Sequence, residues 1–160
     1  MSDDLPEVLR NVRTRPLLVL RLSARKLEII GPTPAGIRRV GVIFGGSFAG
    51  ERLSGEVLDG GADWQIVRSD GATTLDVRLM LKTHDGALIG MSYRGTRHGP
   101  PDIIARIEAG ETVDPATHYF RSAPFFETAA PNYDWINRIV AIGIGHRQAD
   151  GPVYSVFEVL

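Results

Sequence analysis

The stretch Thr73-Thr74-Leu75-Asp76-Val77-Arg78-Leu79-Met80-Leu81-Lys82 decides the fold, because its side chains alternate in character with a period of two. Leu75, Val77, Leu79 and Leu81 fall on one face, and Thr74, Asp76, Arg78 and Met80 on the other, which is the pattern of a β-strand between unlike surroundings. Turn chemistry brackets it. Ser69-Asp70-Gly71 precedes the stretch and Asp85-Gly86 follows, while Asp59-Gly60-Gly61 and Asp150-Gly151 repeat the signal elsewhere. Aspartate followed by glycine suits the positive φ values of tight hairpins, so the chain reads as an antiparallel meander. Working outward, strands are expected at Pro16–Ile30, Gly36–Gly45, Gly50–Leu58, Asp63–Arg68, Thr73–Lys82, Ala87–Arg94, Phe125–Ala129, Trp135–Arg147 and Val153–Val159.

One helix interrupts them. Pro100-Pro101-Asp102, then Ile103, Ile104 and Ile107, then Gly110, places proline at a helix start and glycine just past its end. Many short sequential strands must bury both sheet faces or close on themselves. A closed or nearly closed antiparallel up-and-down β-barrel of about eight to ten strands does both with short loops, and a sandwich is the second choice. The all-β chain is expected to be one domain over 1–160, with Met1 to Arg15 as an arm or short helix outside it.

Composition narrows the function. The 160 residues are 43% hydrophobic and carry 18 Lys+Arg against 19 Asp+Glu, a net charge of -1, so the excess positive charge that nucleic acid or a polybasic membrane anchor requires is missing. No apolar run approaches the roughly 20 residues of a membrane span, and Met1 to Arg15 lacks the apolar stretch of a secretory signal, so a cytoplasmic protein is expected. With no cysteine, disulfides, thiolate metal sites and a cysteine nucleophile are excluded. His84, His98, His118 and His146 have no paired spacing for a metal, and Lys26 and Lys82 are the only lysines for a Schiff base. Phe44-Gly45-Gly46-Ser47-Phe48-Ala49-Gly50 lacks a phosphate-loop lysine and reads as a tight turn between barrel strands. No metal or cofactor is expected.

The candidate site residues come from polar groups beside aromatics. Asp63 and Trp64 follow a glycine turn, where the aspartate either caps the turn or stands at a barrel mouth with its pKa raised by partial burial. Asp76 and Arg78 face either solvent or a polar lumen. Tyr119-Phe120-Arg121, Phe125-Phe126-Glu127-Thr128 and Tyr133-Asp134-Trp135-Ile136-Asn137-Arg138 concentrate aromatics and hydrogen-bonding groups, and strand alternation puts Trp135 and Asn137 on one face. Tyr93 alternates with Met91 and Ile89 and offers a phenol on an apolar face. Ile136, Val140, Ile142 and Ile144 are candidates for a subunit interface in a homo-oligomer.

Taken in order, Gly60-Gly61-Ala62-Asp63-Trp64-Gln65, Asp76-Val77-Arg78, Asp85-Gly86-Ala87-Leu88-Ile89, Tyr119-Phe120-Arg121, Phe126-Glu127-Thr128 and Trp135-Ile136-Asn137 resemble the family of domain of unknown function 3237, also called uncharacterised protein family 0311. The resemblance runs from about Leu17 to Val159 and implies a lipocalin-like β-barrel. Fungal relatives are associated with cofactor-independent cyclisation. The family's recurrent polar positions match Asp63, Arg78, Arg121, Glu127 and Asn137, with Trp64, Tyr93 and Trp135 as matching aromatics. The resulting expectation is a cofactor-free isomerase, cyclase or lyase acting on a small aromatic or unsaturated oxygenated compound. Asp63 or Glu127 would exchange the proton, Arg78 and Arg121 would hold an oxyanion, Trp64, Tyr93 and Trp135 would form walls and Asn137 would orient the ligand. A small-molecule carrier or sensor in the same barrel is the alternative.

Overall fold

Each strand's turn chemistry hands the chain to its neighbour. The computed structural model describes residues 4–160. The strands are β1 (Thr14–Ala24), β2 (Glu28–Thr33), β3 (Gly36–Ala49), β4 (Ser54–Val57), β5 (Gly61–Val67), β6 (Thr73–Thr83), β7 (Leu88–His98), β8 (Tyr119–Glu127), β9 (Ala141–Gln148) and β10 (Gly151–Val159). Gly60, Gly71 and Gly86 sit at positive φ in the connecting turns. Antiparallel pairing runs from β1 through β10, β9, β8, β7 and β6, then through β4 and β5, which share one position end to end, to β3. β3 pairs back onto β1, closing an 8-strand barrel. β2 extends β1's edge along β3.

Closure depends on glycine. β3 pairs with β5 up to Ile43 and with β1 and β4 beyond it. The glycine-rich stretch 44–50, expected as a turn, is instead paired strand as far as Ala49. A Cβ on Gly46, at φ +143°, would strike the Arg21 carbonyl, and one on Gly50 would strike that of Leu17. Only glycine lets these backbones approach so closely.

Two other expectations are corrected. Pro16–Ile30 breaks after Ala24 into two strands, and Trp135–Arg147 is a strand only from Ala141. Pro131–Arg138 is a 3-10 helix with proline in its first turn. Its buried period is three, not two: Tyr133 and Ile136 are buried and Ile139 is partly so. The Tyr133 hydroxyl donates to Asp85 Oδ1 at 2.8 Å, tying this helix to the turn before β7. The helix expected after Pro100 is α1, Pro101–Glu108, ended by Gly110 at φ +85°.

Before β1, the described part of the expected arm holds one 3-10 turn, Glu7–Leu9; Met1 to Asp3 lie outside the described residues. Among the described residues no helix is long and apolar enough to cross a membrane.

The interior has two halves. Phe48, Val57, Leu79, Leu81, Ile89, Met91, Phe126 and Val156 fill the end covered by the Pro131–Arg138 helix. Arg39, Asp63, Gln65 and Arg97 are buried toward the other end, where the Glu108 carboxylate of α1 reaches Arg39 and Arg97. Between them β9 turns Ala141, Gly143 and Gly145 inward, leaving room for Phe120 and Tyr154. A Cβ on Gly145 would lie 2.5–2.7 Å from atoms of the buried Phe120 ring. Gly145→Ala should therefore cost about 1–3 kcal/mol, as overpacking a core typically does, with equilibrium urea unfolding as the check.

Candidate functional site inside the barrel

Alternation places Asp63 and Gln65 on the inner face of β5 and Trp64 between them on the outer face. Gly41 lies opposite Asp63 and Arg39 opposite Gln65 on β3, so polar side chains meet across one strand pair. They form a continuous chain of hydrogen bonds. Gln65 Nε2 donates to Asp63 Oδ2 at 2.7 Å, and Arg39 Nε donates to Gln65 Oε1 at 2.8 Å. Arg39 then grips Glu108 of α1 in a bidentate pair at 2.7 and 2.8 Å, with Arg97 adding a longer contact to the same carboxylate at 3.3 Å. The two arginines hold the Glu108 carboxyl below its usual range, while burial alone would raise it.

Asp63 has no arginine in direct contact. It is 8% exposed, and its remaining hydrogen bond comes from the Asp76 backbone N–H at 3.3 Å. Burial pushes its carboxyl up to about 6, opposed by the bonds from Gln65 and Asp76 and by the charges of Arg97 and Arg147. Two phenols lie within its electrostatic reach. Tyr93 of β7 and Tyr154 of β10 meet edge to face with ring centroids 5.1 Å apart, and Phe120 packs against Tyr154 at 5.3 Å. Burial raises both phenols, so each keeps its proton. Neither hydroxyl makes a well-aligned hydrogen bond to the protein, although the two lie close enough to act on each other, and the buried Nε of Arg97 has no partner.

Buried polar groups that make no well-aligned bond to the protein, close to a carboxyl that can carry a proton near neutrality, are an arrangement that core packing alone does not call for. The group can take or give a proton at Asp63. His118 Nε2 and His146 Nδ1 are further buried atoms without protein partners. Their mutual influence, and that of Arg97 on His118, places them toward the same end.

Of the residues chosen from sequence, the structure brings Asp63 and Tyr93 together inside the barrel and leaves the others out. Trp64 is 50% exposed on the outer wall, with the Arg38 guanidinium 5.9 Å from its ring centre. Arg78 follows the inward Val77 and therefore points out, as does Asp76; the polar-lumen alternative for that strand is corrected. Glu127 follows the buried Phe126 and also faces out, joining Arg78 along an open groove of about 850 Å³ beside Met80, Leu88 and Phe125. Arg121 lies over the Tyr119 ring at 4.9 Å and donates to the Phe120 carbonyl. Trp135 stacks under Arg52 at 3.9 Å, at the apolar end. Asn137 is exposed and ties a loop: its Oδ1 accepts from Thr128 N at 2.8 Å and its Nδ2 donates to Thr128 O at 3.0 Å. Because Trp135 and Asn137 lie on a 3-10 helix, the shared strand face expected of them does not exist.

Arg97, Tyr154, Arg39, Gln65 and Glu108 were missed. Extending the Ile89, Met91, Tyr93 alternation by two more steps reaches Arg97, and the same rule from Val156 reaches Tyr154. Glu108 sits on a helix, and only the tertiary fold carries it to the arginines.

Among the described residues no group of three His, Asp or Glu side chains is placed to hold a metal ion. The raised carboxyl links stability to pH. Below the unfolded value near 3.8 both states hold the proton; as pH rises toward about 6 the folded protein resists ionisation and loses stability. The loss, relative to an Asp63→Asn variant, should reach about 3 kcal/mol by pH 7 and stay flat above it, measured by urea unfolding from pH 4 to pH 8.

Comparison with known proteins agrees with this architecture. The profile of the family described as protein of unknown function (DUF3237) matches residues 12–159. A UPF0311 protein of Rhodopseudomonas palustris is 41% identical over 144 residues, covering 89% of this chain and 94% of its own. A crystal structure of a conserved protein of unknown function from the same species superposes with a TM-score of 0.91 at 35% identity, covering 94% of this chain and 99% of that one. An enzyme from Penicillium herquei shares the fold at a TM-score of 0.73 and 20% identity, over 98% of this chain and 100% of that one. With nearly its whole length matched, this chain belongs to the DUF3237 family, the group of the UPF0311 proteins.

Proposed function

We propose that the protein is a cofactor-independent acid–base enzyme, of the isomerase, cyclase or lyase type, acting on a small unsaturated or aromatic oxygenated compound held inside the barrel. One observation carries this reading: the Asp63 carboxyl is enclosed, raised to about 6, and shares its surroundings with the buried Tyr93 and Tyr154 hydroxyls, which make no well-aligned bond to other protein groups. A carboxyl with a pKa near the working pH exchanges protons in both directions, which is what general acid–base catalysis needs. The likeness of fold to an enzyme of Penicillium herquei is compatible with it.

In this reading Asp63 moves the proton, and Gln65 fixes the carboxyl through its 2.7 Å bond. Tyr93, Tyr154 and the Arg97 Nε receive the substrate oxygen. Arg39 and Glu108 act on position alone, joining α1 to the barrel rim through their bidentate pair. General acid–base catalysis typically contributes about 10²–10⁴-fold, with enclosure and orientation supplying the rest.

Asp63→Asn is expected to lower kcat by at least about 10²-fold while leaving substrate affinity within a few-fold. Small molecules retained by the purified protein and identified by mass spectrometry supply the compounds for that assay. A protein that binds such a compound unchanged, with equal affinity in wild type and Asp63→Asn and no product formed by either, is a carrier, and the enzymatic reading then falls.

A further inference from the structure

The open groove of about 850 Å³ lies outside the barrel, across the outward face of β6, β7 and β8. Gly90 is its floor. Register places Arg78, Ser92 and Phe125 in one row over the three strands, and Met80, Gly90 and Glu127 in the next. A cation and an anion thus stand at opposite corners, with Met80 and Phe125 at the other two. A Cβ at Gly90 would lie 3.2 Å from Glu127 Cγ, so glycine there lets the glutamate stem lie over the floor and keeps the groove open.

Among the described residues neither Arg78 nor Glu127 forms an ion pair or a side-chain hydrogen bond. The charges around them are matched locally. Asp76 takes Arg94 at 3.9 Å, and Lys82 stands opposite Glu56 on β4. The apolar members of the groove are equally uncovered, with Met80 44%, Leu88 52% and Phe125 56% exposed. On β9, the neighbour of β8, Ile142 is exposed as well, and so is Val140 just before it, which extends the face across a fourth strand. Of the residues the sequence offers for a subunit contact, Val140, Ile142 and Ile144 are exposed, whereas Ile136 is buried in the core.

We infer that this face is an isologous contact with a second copy of the same chain, in which Arg78 of each copy pairs with Glu127 of the other. Two-fold symmetry demands that if one residue meets another, the second also meets the first. One unpaired cation and one unpaired anion satisfy that demand. Arg78 lies opposite Ser92 and Glu127 opposite Gly90, so the line joining them crosses β7 over Met91. A two-fold axis in the contact plane, perpendicular to that line at Met91, exchanges their positions and forms both pairs at once. Met80, Leu88 and Phe125 supply the apolar area, since exposed ion pairs add little alone, while the charges fix the register. The unpaired charges are one of each sign, so the face complements itself, whereas a partner recognised by its charge would call for a surplus of one sign.

Sedimentation equilibrium of the full chain over a concentration series tests this contact. The wild type should be dimeric at about 10 µM, as a contact of standard size allows. Arg78→Glu and Glu127→Arg should each weaken the dimer by at least about 10²-fold, because either reversal sets like charges against each other at both symmetry-related places. Mixed in equal amounts, the two single variants should associate with each other, since one brings two carboxylates to the other's two guanidinium groups. The double reversal Arg78→Glu/Glu127→Arg should likewise restore self-association. Phe125→Ser should weaken the dimer by at least about tenfold with no change of charge. All three side chains are exposed, and a thermal melt of each variant checks that the fold is kept.

A wild type that stays monomeric at about 100 µM, whether or not its groove takes up a small molecule, would overturn the contact. So would a dimer indifferent to both charge reversals, or single variants that remain apart when mixed. None of these residues touches the buried carboxyl, so the outcome is independent of Asp63 as a proton exchanger.

Discussion

A carboxyl group shut inside a barrel without a cation against it is the constraint around which this molecule's polar end is arranged. Removing an ionisable group from water costs several kcal/mol unless it is neutralised or well hydrogen-bonded. The fold meets this cost only in part. Gln65 and one backbone N–H bond Asp63, while Arg97 and Arg147 act on it from a distance, and its proton affinity stays raised. The Gln65 side chain stands between it and the Arg39–Glu108 ion pair. That spacer matters chemically. An arginine in direct contact would hold Asp63 ionised at every working pH, whereas a neutral amide fixes its geometry and leaves its proton exchangeable.

The division of the barrel into two halves follows from which residues the strand phase turns inward. On β6 the inward set is aliphatic between Thr73 and Thr83, and on β5 it is Gly61, Asp63 and Gln65. β9 contributes almost no side-chain bulk, and Phe120 and Tyr154 move into the space it leaves. The aliphatic half and the Pro131–Arg138 helix lie at one end, and Glu108 ties α1 to the arginines at the other. A rigid apolar end supporting a cluster of buried polar side chains is how a barrel of this size carries polar groups inside without giving up its core.

Alternation was the most legible signal in the chain. It gives β6 almost residue for residue, and with the Asp-Gly turns it gives the antiparallel meander and the barrel. The site was legible only in part, for a physical reason. Asp63 and Tyr93 stand out because a polar group lies where the inward phase demands burial. Arg78, Glu127 and Trp64 each follow an inward residue, so the same rule sends them outside, against the expectation that the family resemblance attaches to them. Trp135 and Asn137 were misplaced because a 3-10 helix and a strand both suit an aromatic-rich segment, and only the proline at its start separates them. Glu108 could not be found from local pattern at all, since its partners lie 69 and 11 residues away in sequence.

The most direct test is the titration of the Asp63 side-chain carboxyl, followed by carbon-13 NMR on labelled protein and assigned by its absence in Asp63→Asn. A midpoint near 6 is expected, as enclosure without a contacting cation requires. A midpoint at or below the ordinary aspartate value of about 3.9 would mean that the carboxyl is solvated or paired, and the interior could not then exchange a proton as described.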